Sequence, residues 1–304
     1  MDSAATPSPC PSVSVVVPTY REAQNIPSLI ERIDRVRREH DLDLELLIMD
    51  DDSRDGTAET VQSLGRPWVR LVTRIQNRGL SPAVLDGFAL ARHDLLLVMD
   101  ADLSHPPEKI PEMLDALTAG HDFVVGSRYV PGGSTDHDWG PFRWINSRAA
   151  TLLARPLTSI KDPMSGFFAL RRETYQKAAT LNPVGYKIAL ELLVKADCRR
   201  VCEIPIHFGQ RRLGDSKLSL REQLSYIRHL RRLFIHKYGH WARGAILGAS
   251  ATALSLAALS LLYAAGISLE RAAAAAILVA ITGILAPLLV DYVLRKQKPT
   301  NPEP

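Results

Sequence analysis

Short apolar runs alternate with amphipathic stretches along the first half of the chain. The β-branched run Val13 to Val17, stopped by Pro18, is typical of a strand buried on both faces of a sheet. Asn25 and Pro27 open a stretch in which apolar residues recur at helical spacing. The same alternation predicts further strands at 44–49, 69–73, 95–99 and 122–126, with helices at 57–64, 81–92 and 108–119. Strands that alternate with helices indicate a doubly wound α/β domain with a mostly parallel sheet.

Unusual polar residues follow the predicted strands. In an open parallel sheet, ligands bind beyond the carboxyl ends of the strands. The polar residues at those ends are Thr19, Tyr20 and Glu22 after strand one, Asp50 to Asp52 after strand two, Asp100 and Asp102 after strand four, and Arg128 after strand five. We therefore expect a ligand site along this edge of the sheet.

Asp100 and Asp102, separated by one residue, carry the clearest chemistry. Two carboxylates at a strand end can both turn toward a hard divalent cation, and Mg²⁺ or Mn²⁺ is usually shared with substrate phosphates. Aspartates in turns also serve as helix caps, but Ser104, just ahead of a helix start at Pro106, fits that role better. The pair therefore predicts a metal and diphosphate site.

The acidic triplet Asp50 to Asp52 has two interpretations. It can be a turn in which Asp55 caps the next helix. However, adjacent carboxylates repel one another unless a cation or a hydrogen-bond donor is bound, and a nucleobase would supply donors. The glycine patterns of dinucleotide-binding and P-loop sites do not occur, which disfavours both classes.

The second half of the chain is less regular. Residues 131–147 are rich in glycine and aromatic residues and predict a mobile loop over the site. Residues 218–243 place apolar side chains at helical spacing among many arginines, which predicts an interfacial amphipathic helix.

Two uncharged stretches follow, between Arg243 and Glu270 and between Arg271 and Asp291. Each is long enough, at about 20 residues, to cross the hydrocarbon of a bilayer as a helix. A pair of buried core helices is the alternative, but basic residues flank both outer ends of 244–294. The positive-inside rule then predicts a two-helix transmembrane hairpin with both ends and the catalytic domain in the cytoplasm.

Composition and charge support this division. The 304 residues are 46% hydrophobic and 23% charged, which excludes a disordered or fibrous chain. The net charge is only +4, with no sign of a nucleic-acid partner, although 199–243 is locally basic. Three cysteines without a paired framework indicate a reduced catalytic part without structural zinc. Residues 1–12 predict a disordered lead-in, 13–217 the catalytic domain and 295–304 a cytoplasmic tail.

Six segments together resemble the motifs of the dolichyl/polyprenyl-phosphate mannosyltransferases, which are family 2 glycosyltransferases with the GT-A fold. In chain order they are Val15–Glu22, Met49–Thr57, Met99–Pro106, Gly126–Tyr129, Asp162–Phe167 and Gly214–Leu218. The resemblance covers residues 13–240 and implies transfer of mannose, with inversion, from GDP-mannose to a polyprenyl phosphate in the membrane. It leaves a homo-oligomeric assembly open.

The resemblance also implies roles for single residues. The nucleotide base and ribose would be bound by Pro18, Tyr20, Glu22, Met49 and Asp51, and the diphosphate and metal by Asp100, Ala101 and Asp102. Ser104 stands where some relatives use Gln as a further metal ligand. Arg211 and Lys217 match a basic pair that closes over the donor diphosphate, and Arg128, Arg143 and Ser147 match the lipid-phosphate site. Asp102, Arg128 and Arg211 would take part in the catalytic step.

Three other functions stay open at this point. A polyprenyl-phosphate glucosyltransferase that uses UDP-glucose would share the fold, and two C-terminal spans are frequent in that branch. A processive polysaccharide synthase would carry Gln-x-x-Arg-Trp, which Gln210 to Gly214 does not match. A catalytically dead membrane scaffold, a different class altogether, is disfavoured by the presence of both aspartates of the metal site.

Overall fold

The computed structural model describes residues 12–136, 141–178, 180–182, 187–209 and 225–239, with only the backbone described at 141–147. The strands are β1 (Ser12–Thr19), β2 (Asp43–Asp50), β3 (Val69–Thr73), β4 (Leu95–Val98), β5 (Phe123–Ser127), β6 (Ser134–Thr135), β7 (Phe168–Arg171), β8 (Val201–Pro205) and β9 (His207–Phe208). The helices are α1 (Ile26–Glu39), α2 (Thr57–Leu64), α3 (Leu80–Leu90), α4 (Ile110–Thr118), α5 (Pro141–Ala154), α6 (Arg172–Lys177) and α7 (Ile188–Lys195), with a 3₁₀ turn at Pro107–Lys109 and a further helix over 225–239.

The main sheet has seven strands in the order β3-β2-β1-β4-β7-β5-β8. All neighbours run parallel except β7, which is antiparallel to both β4 and β5. The predicted α/β domain with a mostly parallel sheet is confirmed. Because β7 is reversed, the loop that enters it, residues 162–167, lies at the edge where the parallel strands end. A second, two-stranded sheet joins β6 and β9.

Hydrophobic residues cover both faces of this sheet. Along β1, Val13, Val15 and Val17 belong to the cluster that also contains residues of α1 and α4, whereas Val16 belongs to the cluster on the α3 and α7 side. All of them are 0% exposed. A strand buried on both faces has apolar residues in both alternating sets, which is why the run is apolar except at Ser14. The buried hydroxyl of Ser14 donates a hydrogen bond to Glu45 at 2.6 Å.

Strand β1 does not stop at Pro18, as its sequence predicts, but continues to Thr19. Proline cannot donate a hydrogen bond to a strand on its amide side. Strand β4 pairs only with Val13 to Val16, so β1 has passed its partner on that side when Pro18 is reached. Pairing with β2 on the other side continues to the end of the strand.

The segment predicted as a mobile loop, 131–147, contains regular structure. Ser134 and Thr135 form β6 against β9, and α5 begins at Pro141. Of the two glycines, Gly132 lies in a turn at φ 86°, and Gly133 permits close packing: a Cβ on Gly133 would lie 2.6 Å from the carbonyl oxygen of Ser127. The loop prediction is therefore wrong from residue 141 onward.

The helix over 225–239 lies within the predicted interfacial segment. One face of the helix is buried and carries Tyr226, His229 and Leu233. At least half of the surface is exposed at three other apolar residues, which are Ile227, Phe234 and Ile235. No helix among the described residues is both long and apolar enough to cross a bilayer. The predicted hairpin at 244–294, the tail at 295–304 and residues 1–11 lie outside the described residues.

Candidate active site

Asp100 and Asp102 lie on a turn directly after β4. Asp102 is buried, and its Oδ1 accepts hydrogen bonds from the backbone N–H of Ser104 (3.1 Å) and from the Ser104 hydroxyl (2.5 Å). The side chain of Asp100 is 25% exposed. Ser104, predicted as a metal ligand, thus donates its hydroxyl hydrogen to Asp102 and orients that carboxylate.

His105 also stabilises this turn, through the backbone of Asp100. Its Nδ1 accepts a hydrogen bond from the backbone N–H of Asp100 at 3.0 Å, and its ring stacks on Phe167 and meets Phe208 edge-on, each at 5.3 Å between centroids. Burial lowers the pKa of His105, although the nearby Asp100 and Asp102 carboxylates oppose that shift. The imidazole is therefore neutral at pH 7, as its role as an acceptor at Nδ1 requires.

The carboxylate of Asp100 lies beside Gly166, in the loop that enters β7. A Cβ on Gly166 would come within 3.3 Å of both carboxylate oxygens of Asp100 and 3.4 Å of Cε1 of His105. The glycine thus leaves room for a ligand next to the carboxylate. Among the described residues, no group of three or more Asp, Glu, His or Cys side chains could hold a metal alone. Two carboxylates completed by substrate phosphates are the usual arrangement for Mg²⁺, and the residues present fit it.

The acidic triplet needs no bound ligand to offset its charge, in contrast to the sequence-based inference. Asp50 accepts hydrogen bonds from the backbone N–H (3.0 Å) and hydroxyl (2.5 Å) of Ser53. Asp52 forms ion pairs with Arg54 (2.8 Å) and Arg78 (2.5 Å), and these two arginines keep its pKa below the ordinary value. Repulsion within the triplet is thus balanced by groups of the protein itself.

Asp51, the predicted ligand of the nucleobase, is held by Arg74 at the end of β3. The Arg74 guanidinium, whose side chain is 3% exposed, pairs with Asp51 and with Asp86 (2.8 Å) and donates to the carbonyl of Asn77 (2.8 Å). The other oxygen of Asp51 accepts the backbone N–H of Gly79 at 2.6 Å. Arg74 therefore fixes the orientation of Asp51 and ties β2 to the loop before α3.

The remaining residues predicted for the donor base lie at the ends of β1 and β2. Tyr20 is 47% exposed, with the Arg21 guanidinium 5.3 Å from its ring centre, so an aromatic face is available to a ligand. Glu22 accepts a hydrogen bond from the side-chain amide of Asn25 at 2.6 Å. Met49 is fully buried.

Two more residues were predicted for the donor site, and they differ in exposure. Ala101 is 3% exposed and packs in the core, whereas Pro18 is partly exposed. Met49 and Ala101 thus offer almost no accessible surface in this structure, and Pro18 offers some.

Arg128, at the end of β5, is paired with a buried carboxylate. Its Nε and Nη2 donate to the two oxygens of Asp162, each at 2.7 Å, and its backbone N–H donates to Oδ2 at 3.0 Å. Asp162 is 0% exposed and the Arg128 side chain 9%. Burial alone would lower the pKa of Arg128, but the hydrogen bonds and charge of Asp162 outweigh burial and raise it. The positive charge of Arg128, the arginine predicted to bind phosphate, is thus balanced by the carboxylate of Asp162.

Four predicted site residues cannot be placed in this geometry. Arg211 and Lys217 lie outside the described residues. Arg143 and Ser147 belong to α5, but their side chains are outside the described part of the chain. Their proposed contacts with phosphates remain predictions.

Sequence reasoning missed Arg74, His105 and the role of Asp162. Arg74 follows directly after a predicted strand, so the rule used for the other strand ends would have found it. His105 and Asp162 lie within motifs that were recognised. The stacking of His105 on Phe167 and the pairing of Asp162 with Arg128 depend on the loop that enters the reversed β7.

Residues 14–178 match the family model described as Glycosyl transferase family 2. This match, together with the α/β sheet and the aspartate pair at its edge, defines the class of the protein. The chain belongs to glycosyltransferase family 2 and is a glycosyltransferase.

The curated relatives narrow the assignment to one branch of family 2 and confirm the resemblance drawn from the motifs. The chain is 43% identical over 226 residues to a dolichol-phosphate mannosyltransferase of Pyrococcus furiosus, a match that covers 73% of this chain and 63% of that protein. It therefore spans less than two thirds of the length of that relative. The dolichol-phosphate mannosyltransferase of Saccharomyces cerevisiae is 42% identical, over 74% of this chain and 88% of the relative. A polyprenol monophosphomannose synthase of Mycolicibacterium smegmatis is 36% identical, over 71% and 84%.

Solved structures confirm the GT-A fold. Glucosyl-3-phosphoglycerate synthase of Mycobacterium tuberculosis, in complex with Mn²⁺, uridine diphosphate and glucosyl-3-phosphoglycerate, superposes with a TM-score of 0.56. The two chains are 23% identical, and the match covers 75% of this chain and 80% of the other.

Proposed function

We propose that this protein transfers mannose, with inversion, from GDP-mannose to a polyprenyl (dolichyl-type) monophosphate, forming a polyprenyl-phosphate β-mannose. The printed activities of its curated relatives support the mannose donor and the lipid acceptor. The observation that carries the proposal is the position of Asp100 and Asp102. They lie at one sheet edge, with the exposed Tyr20 and the Arg128–Asp162 pair at neighbouring strand ends.

A divalent metal, Mg²⁺ or Mn²⁺, would be held by Asp102 and Asp100 together with the donor diphosphate. The space that Gly166 leaves beside Asp100 supports this assignment. The metal would supply positive charge to stabilise the departing nucleotide. Ser104 would keep Asp102 in the orientation in which its carboxylate faces the donor.

The acceptor needs no general base. The second pKa of a phosphate monoester is about 6, so a polyprenyl phosphate is largely a dianion at neutral pH and already a nucleophile. It does need cationic groups that offset its repulsion from the donor diphosphate. We assign this charge to Arg143 on the acceptor side and to Arg211 and Lys217 on the donor side. Arg128, whose charge is balanced by Asp162, and Ser147 would contribute hydrogen-bond donors to the acceptor phosphate.

On the donor side, the base and ribose would lie between the ends of β1 and β2. Tyr20 offers an exposed aromatic face. Asp51 would accept N–H groups of the base, and Arg74 and the N–H of Gly79 keep that carboxylate in place. Pro18, Glu22, Met49 and Ala101 would complete the pocket.

We also infer the membrane organisation, because the acceptor has an isoprenoid tail. In this proposal 13–217 is a cytoplasmic catalytic domain, 218–243 an interfacial helix and 244–294 a transmembrane hairpin. The exposed Ile227, Phe234 and Ile235 on the helix over 225–239, with exposed arginines at 228, 231 and 232, support contact with a lipid surface. Anionic headgroups would attract such a helix by about 1 kcal/mol per basic residue.

The donor assay tests the proposal directly. Purified full-length protein with Mg²⁺ or Mn²⁺ and a polyprenyl phosphate should transfer label from radiolabelled GDP-mannose into a lipid-soluble product. UDP-glucose should give no such product. Transfer from UDP-glucose alone would replace the mannosyl proposal by the glucosyl alternative, and transfer from neither would contradict the proposal.

Asp102→Ala tests the metal site in the same assay. We expect transfer to fall by about a thousandfold or more because the variant loses a carboxylate at the developing charge. Asp115→Ala, an exposed position on α4, is the matched control and should keep full activity. Full activity of Asp102→Ala in the presence of a chelator would exclude the metal role.

A further inference from the structure

A carboxylate that the motifs do not include lies behind Arg128. Glu203, in the middle of β8, accepts hydrogen bonds from two consecutive backbone N–H groups, that of Lys161 at 2.8 Å and that of Asp162 at 3.0 Å. One oxygen of the carboxylate serves each N–H. Glu203 therefore fixes the backbone at Lys161 and Asp162, and with it the direction in which the Asp162 side chain points.

Asp162 in turn holds Arg128 at three points. Its oxygens accept the backbone N–H, Nε–H and Nη2–H of Arg128 within 3.0 Å. Because the hydrogen bonds come from both the backbone and the side chain of Arg128, they fix the plane of the guanidinium as well as its position. A shift of Asp162 would thus rotate Arg128.

The sheet explains why these residues meet. Strands β5 and β8 are parallel neighbours, with Val125 opposite Glu203 and Ser127 opposite Pro205. Glu203 is thus level with the middle of β5, and Arg128 follows the end of that strand. The 161–162 segment, which precedes the reversed β7, is held by the Glu203 side chain and places the Asp162 carboxylate at Arg128.

We propose that Glu203 is a positioning residue that, through Asp162, sets the orientation of Arg128 toward the phosphate of the acceptor. This rests on the proposed function, in which Arg128 binds that phosphate. The Arg128–Asp162 pair has no net charge, so its contribution to phosphate binding depends on the direction of its N–H donors more than on long-range attraction. In this proposal Glu203 controls the direction of those N–H donors.

Glu203→Gln tests this, with Asp122→Asn as a control for the exchange of a carboxylate for an amide at a backbone contact distant from the site. A glutamine can accept one of the two N–H groups through Oε1, but its amide would face the other as a second donor. Asp122 also accepts two consecutive backbone N–H groups, those of Arg199 (3.1 Å) and Arg200 (2.9 Å). It lies at the opposite end of β5 and β8, away from the site.

We expect Glu203→Gln to raise the KM for polyprenyl phosphate by about tenfold and to leave the KM for the donor nearly unchanged. Hydrogen exchange of the amides of Lys161 and Asp162 should become faster in this variant alone. Asp122→Asn should leave both KM values unchanged. An unchanged acceptor KM in Glu203→Gln despite faster exchange, or an equal increase in Asp122→Asn, would overturn the positioning role.

A binding measurement separates this inference from the proposed function. The affinity of the full chain for farnesyl phosphate, measured without a donor, should fall in Glu203→Gln and not in Asp122→Asn. A wild-type protein that binds farnesyl phosphate but transfers no mannose would overturn the proposed function alone. Equal affinity of Glu203→Gln and wild type would overturn the inference.

Discussion

At the scale of single residues, Arg74 shows how a buried cation shapes a binding pocket. It is 3% exposed and links Asp51 to Asp86 and to the carbonyl of Asn77. Removing one partner of a buried ion pair leaves the other charge uncompensated, which costs about 3–5 kcal/mol. Asp51 would then lose the orientation that base recognition requires in the proposed function.

We therefore expect Arg74→Met to raise the KM for the donor by about tenfold and to lower the melting temperature. Arg70→Met is the control, because Arg70 lies on the same strand and pairs with the buried Glu45 at 3.0 Å, opposite the site end. It should lower the melting temperature without changing the donor KM. Equal effects of the two substitutions on KM would contradict the assignment.

A second prediction at the scale of single residues concerns Gly166. In Gly166→Ala the new methyl group would press on the Asp100 carboxylate at 3.3 Å. We expect the Mn²⁺ concentration needed for half-maximal transfer to rise by about threefold or more, because the space beside a metal ligand is filled.

Gly209→Ala is its control, since the nearest atom to a Cβ there is the carbonyl oxygen of Leu103 at 4.0 Å. Its Mn²⁺ dependence should match the wild type. An unchanged Mn²⁺ dependence in Gly166→Ala would show that the ligand does not approach Asp100 from this side.

The sequence reveals which residues are polar at strand ends but not how they pair. Asp100 and Asp102 could be predicted because residues that directly follow the strands of a parallel sheet lie at the edge where ligands bind. The pairing of Arg128 with Asp162 could not, since the two are 34 positions apart and meet only through the sheet.

At the scale of elements, β7 accounts for most of what the sequence could not predict. It has only four residues, Phe168–Arg171, and no alternation distinguishes a short, fully buried strand from a helical segment. The parallel strands and helices up to residue 127, in contrast, were predicted within a few residues, because their apolar runs and helix starts recur regularly. Reversal of a single strand then brings Asp162 and Gly166 to the site.

The helix over 225–239 makes a prediction about pH. His229 is 2% exposed, and burial lowers its pKa, although the Glu191 carboxylate of α7 opposes this. Lys187, Lys195 and Arg232 also face it and favour the neutral form. Among the described residues, Nε2 of His229 and Oε2 of Glu191 are buried without hydrogen-bond partners.

The direction of the pH dependence of helix packing follows from proton binding by His229. Above about pH 6.5 the imidazole is neutral whether the helix is packed or not; as the pH falls, the unpacked state binds a proton more readily. Packing of the helix should therefore weaken in acid. Hydrogen exchange of the amides at 225–239, corrected for intrinsic rates, should be several-fold faster at about pH 5.5 than at about pH 7.5.

His229→Gln is the control for this prediction, because glutamine has no proton to gain in that range. The variant should lose most of the pH dependence of exchange. If it shows the same dependence as the wild type, another group controls the packing of this helix.

At the scale of the whole molecule, the proposed hairpin has a simple consequence. A chain with two spans at 244–294 should stay with the membrane pellet after extraction with high salt and with alkaline carbonate. A chain attached only by the basic helix would be released, because salt screens attraction to headgroups. Centrifugation and immunoblotting of the full-length protein measure the difference, and release by carbonate would contradict the hairpin.

The balanced pair of Arg128 and Asp162 also matters between catalytic cycles. An enzyme that waits for a lipid present at low density spends much of its time empty. A largely buried arginine reserved for a phosphate would then be an uncompensated charge during every waiting period. With Asp162 in contact, Arg128 keeps a charge partner while the site is empty, and in the proposed function the acceptor site is assembled before the lipid arrives.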